Sequence, residues 1–222
     1  LGTGTGSNFR YLSKKIKFKN QFWTLMDLSK SSLNQAKKNI VTNNKIKKII
    51  LKHDDIIKNI QQHNFEDYDL VTGSAFLDIM PFDWFKKFYI KNKNTKLVYF
   101  SINYDGYIKF YPKHNLDRDI LQLFNNDQKS KKNNKTRAVG PDCSNIINRC
   151  FSKTHKCYLF KSNWIDVKNK NFQLMFLDFC ENIIKTNRKT NFSEWLDFRK
   201  ENIIKNNSKL SVSNKDFLAI KI

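Results

Sequence analysis

Hydrophobic and polar positions change period repeatedly along the chain. From Asn8 to about Lys17, Phe9, Leu12 and Ile16 recur at helical spacing and predict one buried face. Phe22–Leu28 alternates weakly, as a strand does. SKSSLNQAKKNIV then opens with helix-capping serines and sets Leu33, Ala36 and Ile40 on one side. A third strand runs through Leu51, and a fourth covers Asp69–Thr72. TKLVYFSINYDGYIKFYP supplies a fifth strand from Leu97 to about Asn103, with a hairpin expected through Asp105-Gly106. Helices at about Leu116–Asn126 and Asp142–Phe151 follow, then a sixth strand in KCYLFKSNW. Two further helical stretches, about Asn171–Ile184 and Phe192–Ile204, precede a last strand in DFLAIKI. Alternating strands and helices predict an α/β fold around a largely parallel sheet.

Ahead of the first full strand stands LGTGTGSNFR, which holds three of the six glycines, Gly2, Gly4 and Gly6. Leu1 reads as the end of a buried strand, and Ser7-Asn8 as the start of a helix. Glycines between a strand and a helix permit a tight turn and let a ligand lie against main-chain N–H groups. The next strand ends in Asp27, where a ribose-binding carboxylate belongs. A dinucleotide turn wants its third glycine at position 7, which is Ser7.

The G-x-G-x-G spacing resembles the first motif of the class I S-adenosylmethionine-dependent methyltransferases. The resemblance covers about residues 1–105 and loosens beyond them. It implies a Rossmann-like seven-stranded sheet, helices on both faces and a helical insert before the last strand. It also implies S-adenosyl-L-methionine as cofactor. The homocysteine part would lie along Gly2, Thr3, Gly4 and Gly6, with Asn8 beside it. The ribose would meet Asp27 and Leu28. The adenine amino group would meet an acid in His53-Asp54-Asp55-Ile56, with Asp55 favoured by spacing and Asp54 as the alternative. Thr72 and Ser74, at the carboxyl end of the fourth strand, would close the site. Methylation of nucleic-acid amino groups usually goes with an Asn/Asp-Pro-Pro-aromatic motif here, and Thr72-Gly73-Ser74-Ala75 stands in its place. Asp78, Pro81 and Trp84 resemble the small-molecule members, so a small-molecule acceptor is expected, with oxygen as the methylated atom.

Both segments expected on the substrate side, 104–141 and 165–210, leave the sheet at its carboxyl edge, where such folds bind ligands. Tyr104-Asp105-Gly106, Leu123-Phe124-Asn125 with Gln128, and Ala138-Val139-Gly140-Pro141-Asp142 resemble a group of bacterial small-molecule methyltransferases. Those carry a His where this chain has Asp127, and a Gly-rich turn where it has Asn133-Asn134 flanked by Lys131, Lys132 and Lys135. Candidate assisting groups are Asp78, Tyr104 and His114; a carboxylate acceptor would need no base. His53 is expected to pack beside the adenine acid, and His63 and His155 to lie on the surface.

The length and hydrophobic share of 40% suffice for one core, so residues 1–222 are expected to form one domain. Because the chain opens at a strand end, residues before Leu1 are expected to be missing, and with them most of the first strand. No run of 18 apolar residues suggests a membrane span. The formal charge of +21 admits a nucleic-acid partner, with the basic 129–137 run as a backbone clamp on RNA or a protein. The basic residues are nevertheless spread along the chain, and Lys, Asn and Ile are all abundant, as a codon bias would make them. A non-catalytic binding subunit is the third reading. Cys143, Cys150, Cys157 and Cys180 form no C-x-x-C pair, so no metal site is expected, and reduced thiols suit a cytoplasmic protein.

Overall fold

The computed structural model describes residues 1–40, 44–130, 132–133, 136–186 and 192–222. Gly6, at a φ of 86°, caps helix α1 (Ser7–Lys15), whose buried Phe9 meets Trp23 edge-on at 5.2 Å. Strand β1 (Gln21–Asp27) follows. The Ser29 side chain accepts the Ser32 N–H and starts α2 (Lys30–Lys38), which buries Leu33 and Ala36. Next come β2 (Ile46–His53), β3 (Leu70–Ser74), α3 (Phe82–Asn92) and the long β4 (Leu97–Tyr111). Helix α4 (Asp117–Ser130), the two-residue strands β5 (Lys132–Asn133) and β6 (Thr136–Arg137), and α5 (Cys143–Phe151) lie beyond them. The chain ends with β7 (His155–Lys161), β8 (Trp164–Val167), α6 (Lys170–Thr186), α7 (Ser193–Ile204) and β9 (Lys209–Lys221).

β1 and β2 pair in parallel, and a second group runs β3-β4-β9-β7, with β8 also on β9. β9 is antiparallel to both β4 and β7, so β7 runs parallel to β4, as expected of the sixth strand. The start of the chain stands between the two groups. The Leu1 nitrogen donates to the Thr72 carbonyl at 2.7 Å, and Thr3 N–H donates to the Met26 carbonyl at 3.0 Å. Leu1–Thr3 thus bridges β1 and β3, giving the spatial order β2-β1-(1–3)-β3-β4-β9-β7. Chain steps away from this centre run both ways, so right-handed crossovers set α1 and α2 on one face and α3 on the other. Between β1 and β3, beneath Leu1, lies a slot open to solvent, lined by Phe9, Trp23, Phe65 and Val71 among others.

The hairpin expected at Asp105-Gly106 does not form. β4 continues to Tyr111, paired with β9, and its register shifts between Phe100 and Asn103 and again between Tyr104 and Ile108. The physical cause is the length of its partner. The last strand begins at Lys209 rather than near Asp216, with Leu210 and Val212 buried on one face, so β4 has a neighbour well past Gly106. The extra residues are absorbed as bulges, and Gly106 takes a φ of 98°.

Two apolar clusters result. One joins Phe76, Trp84, Phe88, Phe100 and Phe217 under the sheet. The other joins Tyr104, Phe110, Phe124, Trp195 and Val212, where the far half of β4 and β9 meets α4, α6 and α7. His63 and His155, expected on the surface, are 7% and 1% exposed. Each imidazole has polar company that makes burial tolerable. His155 contacts Thr154 Oγ1 at 2.8 Å and the Thr95 carbonyl at 2.9 Å, and His63 Nε2 lies 3.0 Å from Asp54 Oδ2.

Candidate active site

The glycine turn sits at the carboxyl edge of the sheet, and its three glycines do different work. All have positive φ, at 55°, 50° and 86° for Gly2, Gly4 and Gly6. A Cβ on Gly2 would fall 2.3 Å from the Phe76 ring, so that glycine lets the turn close on the core. A Cβ on Gly4 would meet nothing within 4 Å. Gly4 therefore leaves main chain facing open space, as a ligand-contacting turn requires. Thr3 lies between these two glycines and is tied to β1 through its N–H. Asn8, on the first turn of α1, donates to Thr72 Oγ1 at 3.2 Å and fixes the helix to β3. Ser74 ends β3 opposite Ser101, and Ala75 continues the edge by donating to the Ser101 carbonyl at 2.9 Å.

Asp27 comes to the turn as its position in sequence requires. Its Oδ2 accepts the Gly4 N–H at 2.7 Å, and its Oδ1 accepts the Ser29 N–H at 2.8 Å. Each oxygen still has a lone pair for a hydroxyl donor. Leu28, next to it, exposes 63% of its surface at the same edge. Asp54 and Asp55 follow β2, and the Asp54 N–H donates to the Asp27 carbonyl at 3.0 Å. Asp55 Oδ1 accepts the N–H groups of Ile57 and Lys58, so it also organises a turn, and Ile56 between the two is buried. Asp54 Oδ1 accepts Asn59 Nδ2 at 2.6 Å. Burial opposes its charge, but that bond together with His63 and Lys52 holds its carboxyl below the usual range. His53 turns its Nε2 to the Leu28 carbonyl at 2.8 Å, which ties the ends of β1 and β2 together.

The three assisting candidates separate in space. Asp78 lies in a one-turn helix, Leu77–Ile79, two residues beyond the Phe76 that Gly2 abuts. It is the candidate nearest the glycine turn along the chain. Tyr104 is buried, its hydroxyl donates to Asn125 Oδ1 at 2.8 Å, and burial raises its pKa. His114 sits past the far end of β4. Its Nδ1 accepts the Leu116 N–H, its Nε2 lies 3.7 Å from Glu194, and its ring leans on Phe198. Ten residues of β4 separate Ser101 from Tyr111, about 30 Å at ordinary strand rise. These contacts put His114 among the outer helices and away from the glycine turn. The thiols of Cys143 and Cys180 are pushed up to about 12 by burial, so neither is a ready nucleophile.

Three stretches far apart in sequence meet beside Tyr104. Asn125 Nδ2 donates to the Gly106 carbonyl at 2.9 Å. A Cβ on Gly106 would lie 3.1 Å from Pro141, and one on Gly140 would lie 3.5 Å from Gln128 Cβ. Val139 N–H donates to the Met80 carbonyl and Ala138 bridges to Pro81, so this junction also touches the Asp78 turn. Asp105 adjoins Gly106 on β4, and Asn103 lies two residues before Asp105. Periodicity could not single them out, because they lie in the bulged part of the strand; the paired glycines were the usable signal. Of the basic 129–137 run, Lys129 pairs with Asp142 at 2.8 Å, while Lys131, Asn134 and Lys135 and the side chains of Lys132 and Asn133 lie outside the described residues. Among the described residues no group of three or more His, Cys, Asp or Glu could hold a metal ion, and no helix is long and apolar enough to cross a membrane.

No protein-family model matches the chain, and no curated protein matches it by sequence. Solved structures do. A SAM-dependent methyltransferase from Methanosarcina mazei aligns with 100% of this chain and 90% of its own, at a TM-score of 0.52 and 10% identity. The cyclopropane synthase MmaA2 from Mycobacterium tuberculosis aligns over 99% of this chain and 76% of its own, at a TM-score of 0.50 and 10% identity. Phosphoethanolamine N-methyltransferase 2 of Haemonchus contortus gives a TM-score of 0.45 at 12% identity over 99% of this chain, which spans about half (47%) of that enzyme's length. The fold is therefore the Rossmann-like α/β fold of the class I methyltransferases, with β9 as the antiparallel strand between β4 and β7.

Proposed function

We propose that the protein is an S-adenosylmethionine-dependent methyltransferase acting on a small molecule, with oxygen as the methylated atom. The observation that carries the reading is Gly4, whose main chain faces open space while its N–H is held by Asp27. The residues present fit the cofactor. Gly2–Gly6 would take the amino-acid part, Asp27 the ribose hydroxyls, and Asp55, or Asp54, the adenine amino group, with Leu28 and Ile56 as apolar neighbours. When bound, the cofactor supplies a methyl carbon attached to a sulfonium, which leaves as a neutral thioether.

The chain's own part is to orient the acceptor in line with that carbon, to exclude water and to manage one proton. An acceptor oxygen would have to be held with a lone pair toward that carbon by the residues around the glycine turn. A hydroxyl acceptor must also lose its proton, and we assign that role to Asp78, the candidate nearest the glycine turn along the chain. Tyr104 holds Asn125 instead, and His114 is too remote.

Calorimetry with S-adenosylhomocysteine tests the reading. Binding is expected with one site per chain, and none for ATP or NAD under the same conditions. No detectable S-adenosylhomocysteine binding would remove the proposal. Asp78→Asn is expected to leave that affinity unchanged while lowering methyl transfer about 10²–10⁴-fold, the usual contribution of a general base.

A further inference from the structure

Just beyond the point where β3 ends against Ser101, two polar side chains on β4, Asn103 and Asp105, each keep a buried oxygen without a hydrogen-bond donor. Asn103 is fully buried, and its Nδ2 donates to the carbonyls of Phe100 and Lys215, which fixes which way the amide points. Its Oδ1 meets no donor. Two residues on, Asp105 Oδ1 is buried without a donor, and its Oδ2 has only Lys215 Nζ at 3.7 Å. Gln128, on α4, is buried as well, at 6% exposure. The Asn125–Gly106 bond and the close packing of Gly140-Pro141 hold Gln128 and Asp105 in one junction. Buried acceptors without donors are rare in folded proteins, and each calls for a cause.

The charges at this junction run against the rest of the molecule. The chain has 41 Lys and Arg against 20 Asp and Glu. Yet at this junction Asp105 follows Tyr104, whose carbonyl the Cys143 thiol contacts, and the Asp78 charge acts on that same thiol. Asp127 adjoins Gln128, and Asp142 ends the Gly140 turn, where Lys129 pairs with it.

We propose that Asn103, Asp105 and Gln128 anchor a cationic group of the acceptor molecule, an ammonium or a guanidinium, beside the site of methyl transfer. The proposal rests on the methyltransferase reading and goes further by naming what the acceptor carries. The unmatched atoms of Asn103 and Asp105 are acceptors, so the occupant must bring donors, and a carboxylate binds a charged donor more strongly than a neutral one. Gln128 can offer an acceptor to the same group. Its place past the ends of β3 and β4 is where an open α/β sheet holds its ligands.

The test compares wild type with Asp105→Asn and Gln128→Met in the full chain. Each is given methyl-labelled S-adenosylmethionine and a small-molecule extract of the cells that make the protein, and the labelled products, first resolved from the unreacted cationic cofactor, are split by cation exchange. In the wild type, label is expected in the retained, cationic fraction. In Asp105→Asn that label should fall about 30-fold or more, as a charge-assisted contact is lost. Both variants should melt within about 2 °C of wild type or above it, since groups held for a ligand do not hold the fold. A melt clearly below wild type would make these groups structural and end the proposal. So would label only in the unretained fraction, or undiminished label in Asp105→Asn. S-adenosylhomocysteine affinity separates the two levels: its absence in wild type refutes the methyltransferase reading, whereas its persistence in all three chains assigns any loss to the anchor.

Discussion

The Asp27 carboxylate accepts the Gly4 N–H at 2.7 Å, so the acid that ends β1 also braces the turn in front of it. Its other oxygen takes the Ser29 N–H, which positions the start of α2. One side chain thus couples turn, strand and helix at the edge where the ribose would bind.

Asp27→Ala is expected to weaken S-adenosylhomocysteine binding by about 1.5–3 kcal/mol, through lost charge-assisted bonds to the ribose. Calorimetry measures it directly. An unchanged affinity would sink the ribose assignment. Asp27→Asn keeps one oxygen acceptor and should fall between the two.

Gly2 and Gly4 are expected to respond differently to alanine. Both have positive φ, which costs a side chain about 1–2 kcal/mol. Only at Gly2 does the new Cβ also collide with Phe76. Gly2→Ala should therefore lower the thermal midpoint more than Gly4→Ala. Cofactor affinity divides the other way, because the Gly4 Cβ projects into the space kept for the ligand. Equal losses of stability at the two positions would contradict this division.

Asp117 on α4 and Arg199 on α7 form a partly buried ion pair. Arg199 is 2% exposed, also donates to the Pro112 carbonyl, and lies between Phe110, Trp195 and Phe198. The Trp195 indole N–H donates to the same carboxylate at 2.8 Å. Asp117→Ala would strand the guanidinium and should cost about 3–5 kcal/mol in denaturant unfolding. Replacing Arg199 by Met together with Asp117 by Leu should recover much of that loss. Cofactor affinity should not move in either variant, since the pair belongs to the second apolar cluster.

Acid pH should weaken the fold through two imidazoles. Burial holds both His63 and His155 below the ordinary value of 6.5, with Lys52 adding to the effect at His63 and the Asp54 charge opposing it. Below about pH 6.5 the unfolded chain takes up protons that the folded chain refuses. This contribution is therefore complete above that pH and declines as pH falls toward the folded-state values. Stability measured from pH 8 down to 5 should decline below about 6.5, and His155→Gln should flatten the decline. A flat wild-type profile would contradict the burial argument.

Much of this arrangement was legible in the residues themselves. Local signals are strong where one residue type answers a local demand: positive φ asked for Gly2, Gly4 and Gly6, and a capping hydroxyl marked Ser29. Asp27 could be placed because a fixed number of residues separates the ends of successive strands in a βαβ unit. Long apolar periods placed the helices near Asp117–Ser130 and Ser193–Ile204 to within a few residues. Other features depended on partners distant in sequence. Whether Asp105-Gly106 turns or bulges is decided by how far β9 extends alongside β4, which no local window contains. His155 is buried because Thr95, sixty residues away, offers it a carbonyl. His114 and Tyr104 looked alike as candidate bases, and only packing separates them, one against Phe198 and the other bonded to Asn125. That Asn103 and Asp105 each keep a buried oxygen without a donor is likewise decided by the tertiary fold, because hydrogen-bond satisfaction is a property of the assembled neighbourhood and is not carried by any one residue.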